Sequence, residues 1–305
     1  MINTVNQNTV KFSNDLFFKY MLSSTHPLSL SILKKLIEVV SGITCQKLEV
    51  LNPNISAATV NQKSIVLDIH ARDENNNEID IEMQMYGSEA GENKRFQYYG
   101  AKLLTEQLER GKEYYQLSRV MQLILINRKG ENLIDEYISR NQDNKREKEY
   151  LNIRYYVNMR KIEEILKEKG RGELNEIERI SYLFIRNRYD DIIKEDKEDI
   201  IRQVVKMYDR FKRNEEMWEL GKQRELALIR ERSFKHEYHD LGFKQGLAKG
   251  ILKEKRAKCN KIIEKVYHEE ALSWIEGLNA NQLDKLFELA FETDDFMMLK
   301  KKVEN

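Results

Sequence analysis

Residues 64–85 read SIVLDIHARDENNNEIDIEMQM, and the fold turns on whether they form one β-hairpin. From Ser64 to Ala71 the alternation is clean. Ile65, Leu67, Ile69 and Ala71 share one face, and Val66, Asp68 and His70 the other. RDENNN is a polar turn, and Glu78 to Met85 returns as the partner strand. There Ile79, Ile81, Met83 and Met85 alternate with Asp80, Glu82 and Gln84. Pairing of the two strands brings Asp68 and Glu82 together at one end of the sheet. Gln84 stands beside Glu82, because residues two apart project from the same face. Solvated strand faces carry acids routinely, so spacing alone does not separate a site from ordinary surface.

Upstream, FSNDLFFKYML offers Ser13, Asn14 or Asp15 as the N-cap of an amphipathic helix. HPLSLSILKKLIEVVSG follows, with Pro27 at the first helical position and Gly42 as the stop. CQKLEVLNPNISAATV is extended, with a turn at Asn52-Pro53. Downstream, KRFQYYGAKLLTEQLERG is a helix closed by Gly111. VMQLILINR is apolar throughout, as a central strand covered on both faces would be. A polar linker, SRNQDNKREKE, leads to the strand LNIRYYVNM, and from about Lys161 the pattern is helical and highly charged. The order helix, strand, strand, strand, helix, strand predicts an α/β core over residues 1–165. A helical continuation follows over 166–213, then a charged helical extension over 214–305.

The chain has 305 residues, 41% hydrophobic and 34% charged, with a net charge of +1. That balance excludes a uniformly basic nucleic-acid binder and leaves local basic patches open. Two cysteines, Cys45 and Cys259, without partners at metal-ligand spacing suit a reducing compartment. No signal-peptide pattern and no membrane-length apolar run occurs, so a cytoplasmic protein is expected.

Two carboxylates on stiff neighbouring strands are what a hard cation needs; Mg²⁺ is commonly held by one or two carboxylates plus waters and phosphate oxygens. A cation so placed polarises a phosphodiester and acidifies an attacking water. The pattern D-x13-E-x-Q of Asp68, Glu82 and Gln84, preceded by a helix and followed by an Arg- and Tyr-bearing helix, favours that chemistry over a plain surface.

With these segments in view, the sequence resembles the PD-(D/E)XK nuclease family transposases, also called recombination-promoting nucleases. The likeness rests on NDLFFKYML, SIVLDIHARDENNNEIDIEMQM and RFQYYGAKLLTEQLERGKEYYQL, more weakly on ISYLFIRN, and covers roughly the first two-thirds of the chain. It implies a restriction-endonuclease-like core, a mixed sheet flanked by helices, and Mg²⁺-dependent cleavage of DNA. Asp68 and Glu82 match the acidic positions, which implies that they bind the metal. Gln84 falls where the superfamily's lysine usually stands. A glutamine supplies hydrogen bonds but no charge, so a cation must come from elsewhere. Arg95 and Lys102, seven apart on one helix flank with Tyr98 and Tyr99 beside them, are candidates; Lys19 and Lys63 are weaker ones. Asp15 matches the acid of the opening segment and is either part of the metal shell or a helix-start acid.

Other signals stay open. His236 and His239 are half of a metal site at most. Gly242, Gly246 and Gly250 fit either a self-association seam, making a homo-oligomer, or a kinked tail. Residues 249–261 are basic and fit either DNA backbone or solvent. The rival readings are an inactive DNA-binding module of the same fold and a helical interaction protein.

Overall fold

A computed structural model describes residues 9–51, 53–55, 65–85, 91–108, 113–293 and 295–304. Asn52, Lys63 and Gly111 lie outside the described residues, as do the side chains of His236 and His239.

Two helices come first. Asn14 caps α1 (Asp15–Ser23), its side chain accepting the Leu16 and Phe17 N–H groups. Helix α2 (Pro27–Ser41) opens on Pro27 and ends at Gly42 with φ 73°, a left-handed turn that glycine adopts without steric penalty. The strands follow as β1 (Leu48–Leu51), β2 (Asn54–Ile55), β3 (Ile65–Val66), β4 (Ile69–Asp73) and β5 (Glu78–Gln84). Helix α3 (Glu92–Glu106) then crosses to β6 (Val120–Ile126), and β7 (Ile134–Ile138) and β8 (Asn152–Asn158) complete the sheet. Its order is β1-β4-β5-β6-β8-β7, while β2 and β3 pair only with each other. Strands β5, β6 and β8 run parallel; β1, β4 and β7 are antiparallel to their neighbours. Helices α4 (Ile162–Lys169), α5 (Glu176–Arg186), α6 (Ile200–Arg213) and α7 (Glu215–Tyr267) follow. The mixed sheet flanked by helices is the α/β architecture read from the sequence.

Two local readings need correction. The strand expected across residues 64–71 is broken: β3 ends at Val66, β4 begins at Ile69, and Asp68 sits in a bend between them. The polar linker at 139–149 is the loop of a hairpin, and its first arm, β7, is a strand that the expected order omits, for it has no clean alternating pattern.

One sheet face is apolar. Ile69, Ile79, Ile81, Leu123, Leu125 and Val157 join Phe17, Phe18, Ile32, Leu183 and Phe211 of the helices in the main core. The opposite face carries the polar residues of β4 and β5, and α3 covers it. Phe96 meets Ile124, Ile126 and Tyr156, while Leu103 meets Leu67 and Val120. Gly100 permits this close approach, since a Cβ there would lie 2.6 Å from Gln122 Oε1.

The chain divides into two compact units, Met1–Leu226 and Ala227–Asn305. In the first, Asn14 donates to Glu225 (3.0 Å) and to the Gly221 carbonyl (3.3 Å), tying the start of α7 to α1. In the second, the end of α7 packs with α8 (Leu272–Gly277), α9 (Ala280–Leu289) and α10 (Phe296–Glu304) around Cys259, Ile263, Leu283 and Leu299. Gly242, Gly246 and Gly250 lie within continuous helix, with open space where a Cβ would stand. Among the described residues no helix is long and apolar enough to cross a membrane.

Candidate active site

The break before β4 creates the site. Pairing of β4 with β5 starts at Ile69↔Ile81, so the Asp68 N–H is not consumed by the ladder. It donates instead to Glu82 Oε1 at 3.0 Å, and the Met83 N–H donates to Asp68 Oδ2 at 3.1 Å. Each carboxylate is thus fixed by backbone, Asp68 by β5 and Glu82 by the bend before β4. Lys19, projecting from α1, places Nζ 3.1 Å from Asp68 Oδ1.

A third carboxylate lies on the same face. Asp80 is fully buried and accepts from Gln122 Nε2 at 2.9 Å through Oδ2, whereas its Oδ1 receives no donor. Burial pushes the Asp80 pKa up to about 7, with Asp68 adding repulsion. Burial, then Asp80 and Asp68, also hold Glu82 well above the usual carboxylate range. Three acids crowded under a helix need a positive charge or a shared proton. One strand-step further, buried Glu78 accepts from His70 (2.6 Å) and from Arg72 (3.0 and 2.6 Å). Burial raises its pKa, but these bonds outweigh that effect and the net shift is downward. His70 is buried, because α3 roofs this face of the sheet.

From that roof Arg95 Nη2 donates to Gln84 Oε1 at 3.0 Å, its guanidinium lying 4.9 Å from the Phe96 ring centre. Tyr99 is half-buried nearby, its pKa raised by burial and then by Glu82. Lys102 is not brought to Gln84; it pairs with Glu106 at 2.6 Å. Seven residues of helix carry it about 10 Å from Arg95. Asp15 accepts from Arg224 Nε at 2.8 Å, and the α1 residue that reaches Asp68 is Lys19. The structure therefore gathers Asp68, Glu82, Gln84, Arg95 and Tyr99 at one end of the sheet, and adds Lys19, Asp80 and Gln122. Asp80 was readable as a member of the face from its alternation with Ile79 and Ile81; its burial was not.

The donor set is all oxygen, which suits a hard divalent cation. Among the described residues no three His, Cys, Asp or Glu side chains converge as a metal cage. Mg²⁺ requires no such cage, since one or two carboxylates suffice when waters and phosphate oxygens complete the shell. Asp80 Oδ1 has no donor, and Glu82 stays raised despite Lys19 and Arg95 nearby, so the acids exceed the cations that face them and the residues fit such an ion.

The sequence model of the PD-(D/E)XK nuclease family transposases matches residues 12–237, which hold the sheet and all of the side chains just described. No curated protein and no solved structure gives a significant match.

Proposed function

The chain belongs to the PD-(D/E)XK nuclease family transposases, and from that premise we propose that it is a divalent-metal-dependent DNA endonuclease acting in the cytoplasm. The mutual clamp of Asp68 and Glu82 carries this reading, because it presents two carboxylates from neighbouring chain segments in a fixed relation. These two would hold the ion, most naturally Mg²⁺. When bound, it supplies positive charge to a scissile phosphodiester and lowers the pKa of an attacking water.

The remaining roles fall to the chain itself. Gln84, its oxygen engaged by Arg95, would orient a phosphate oxygen or the attacking water. Arg95 brings to this corner the charge that a lysine at position 84 would have carried. Lys19 neutralises Asp68 and keeps a proton-bearing amine at the rim of the site. Attack by water in line with the leaving oxygen needs no covalent enzyme intermediate. Strand transfer would use a DNA 3′-hydroxyl as the nucleophile in the same place.

Plasmid nicking with and without Mg²⁺ tests the reading. Wild type should nick only with the ion, and Asp68→Ala and Glu82→Gln should each lose at least about a hundredfold, the scale on which electrostatic catalytic groups act. Activity that survives Asp68→Ala removes Asp68 from the mechanism. The glutamine at position 84 also supports a second reading, a DNA-binding module without catalysis, and absence of cleavage with every divalent ion would favour it.

A further inference from the structure

Strands β5, β6 and β8 end together, and across them Glu82, Ile124 and Tyr156 are in register, as are Gln84, Ile126 and Asn158. The rim beside the carboxylates therefore continues onto β8 along the same face. Two arginines stand there. Arg128 lies over the Tyr156 ring, 4.7 Å from its centre, and donates from Nε to Asn158 Oδ1 at 2.7 Å. Exposed Arg160, in the turn after β8, donates from Nε to Asn127 Oδ1 at 2.8 Å and from its backbone to the Arg128 carbonyl at 3.2 Å. Asn127 in turn is bonded to the Gln84 carbonyl (2.9 Å) and the Met85 carbonyl (2.8 Å), so this loop is anchored to the strand that bears the site. Among the described residues neither arginine has a carboxylate within ion-pair distance. The nearby acid Asp135 is occupied by Asn158 (2.7 Å) and Asn132 (3.1 Å).

We propose that Arg128 and Arg160 form a seat for DNA backbone phosphates, set beside the cleavage site on the shared rim. This rests on the nuclease reading above and adds to it where the uncleaved part of the strand runs. Two inter-strand spacings put β8 about 10 Å from β5. At about 3.4 Å of axial rise per nucleotide, that is roughly three nucleotides from the scissile phosphate. Each guanidinium is held through Nε, so its paired terminal nitrogens are the donors left to meet an anion, in the fork geometry that phosphate accepts. Neither contact touches a base edge, so the seat positions DNA without reading sequence.

The test uses full-length Asp68→Asn protein, in which cleavage is removed, and a fluorescent duplex in Mg²⁺. Anisotropy is followed from about 50 to 200 mM salt, the range over which phosphate contacts dominate affinity. Arg128→Gln/Arg160→Gln should weaken binding about 5- to 20-fold at the midpoint and reduce the log–log salt slope by about 1 to 2. Arg128→Lys/Arg160→Lys should restore most of the slope, and unchanged thermal melts exclude misfolding as the cause. Binding by the Gln pair with the parent's affinity and slope overturns the seat and leaves the nuclease reading standing. A parent that binds neither duplex nor single-stranded DNA overturns both.

Discussion

Asp80→Asn should stabilise the metal-free protein, and the size of the gain should follow pH. Asp80 is fully buried and repelled by Asp68, and burial outweighs its hydrogen bonds to Gln122 and Glu82. Its pKa rises from 3.8 to about 7 in the fold. A native state that keeps its proton longer than the unfolded chain loses stability as pH climbs between those values. The penalty is absent below about pH 4, complete above about pH 7, and at most about 4 kcal/mol. Because Asp80 and Glu82 titrate as one unit, about 2–4 kcal/mol is the expected difference. Asparagine preserves the Gln122 contact through its own oxygen and offers Glu82 an N–H. In a unit of this size the gain corresponds to roughly 5–15 °C in melting temperature. The assay is calorimetry of wild type and Asp80→Asn in EDTA at several pH values from 4 to 8. A gap that stays constant with pH, or an Asp80→Asn protein melting lower throughout, would refute the reasoning. Added Mg²⁺ should narrow the gap at pH 8, since it stabilises the wild-type carboxylates more.

Three further outcomes are expected. Lys19→Met removes the ammonium from Asp68, so Mn²⁺ binding followed by electron paramagnetic resonance should tighten several-fold; weaker binding would show that the lysine does not compete with the ion. Gly100→Val drives a side chain into buried Gln122 and should cost at least about 2 kcal/mol in urea unfolding, with cleavage falling as Asp80 loses its clamp. Arg179→Met strips the cation from buried Asp199, which Arg179 contacts directly. That should cost about 3–5 kcal/mol, and Arg179→Met/Asp199→Asn should regain part of it.

Much of this arrangement was written in local periodicity. The alternation in β5, the apolar run of β6 and the Pro27 and Gly42 punctuation of α2 each correspond to an element where expected. A strand's period of two puts Asp80, Glu82 and Gln84 on one face of β5, whereas Asp68 joins them from a bend that periodicity does not announce. What periodicity does not carry is which face is roofed. The polar face of β4 and β5 looks solvated in sequence, yet α3 lies over it, burying His70, Glu78, Asp80 and Glu82. Arg95 and Lys102 look equivalent on a helical wheel, but axial distance separates them: one meets Gln84 and the other Glu106. Lys19 carries little signal in sequence, since Asp68, which it meets in space, stands far away in the chain. Arg128 and Arg160 gave no signal, since their common rim exists only once β6 and β8 are side by side.

The exchange of bonds between the bend at Asp68 and the middle of β5 also acts as a register check. Sliding one arm of the hairpin by two residues would keep every apolar side chain on the correct face, so hydrophobic packing alone tolerates that error. It would separate Asp68 from the Met83 N–H and Glu82 from the Asp68 N–H, stranding two amides, buried Glu82 and half-buried Asp68 together. The residues proposed for chemistry are thus also those that penalise misalignment, and substitutions there should broaden the hairpin's pairing as well as abolish the proposed cleavage.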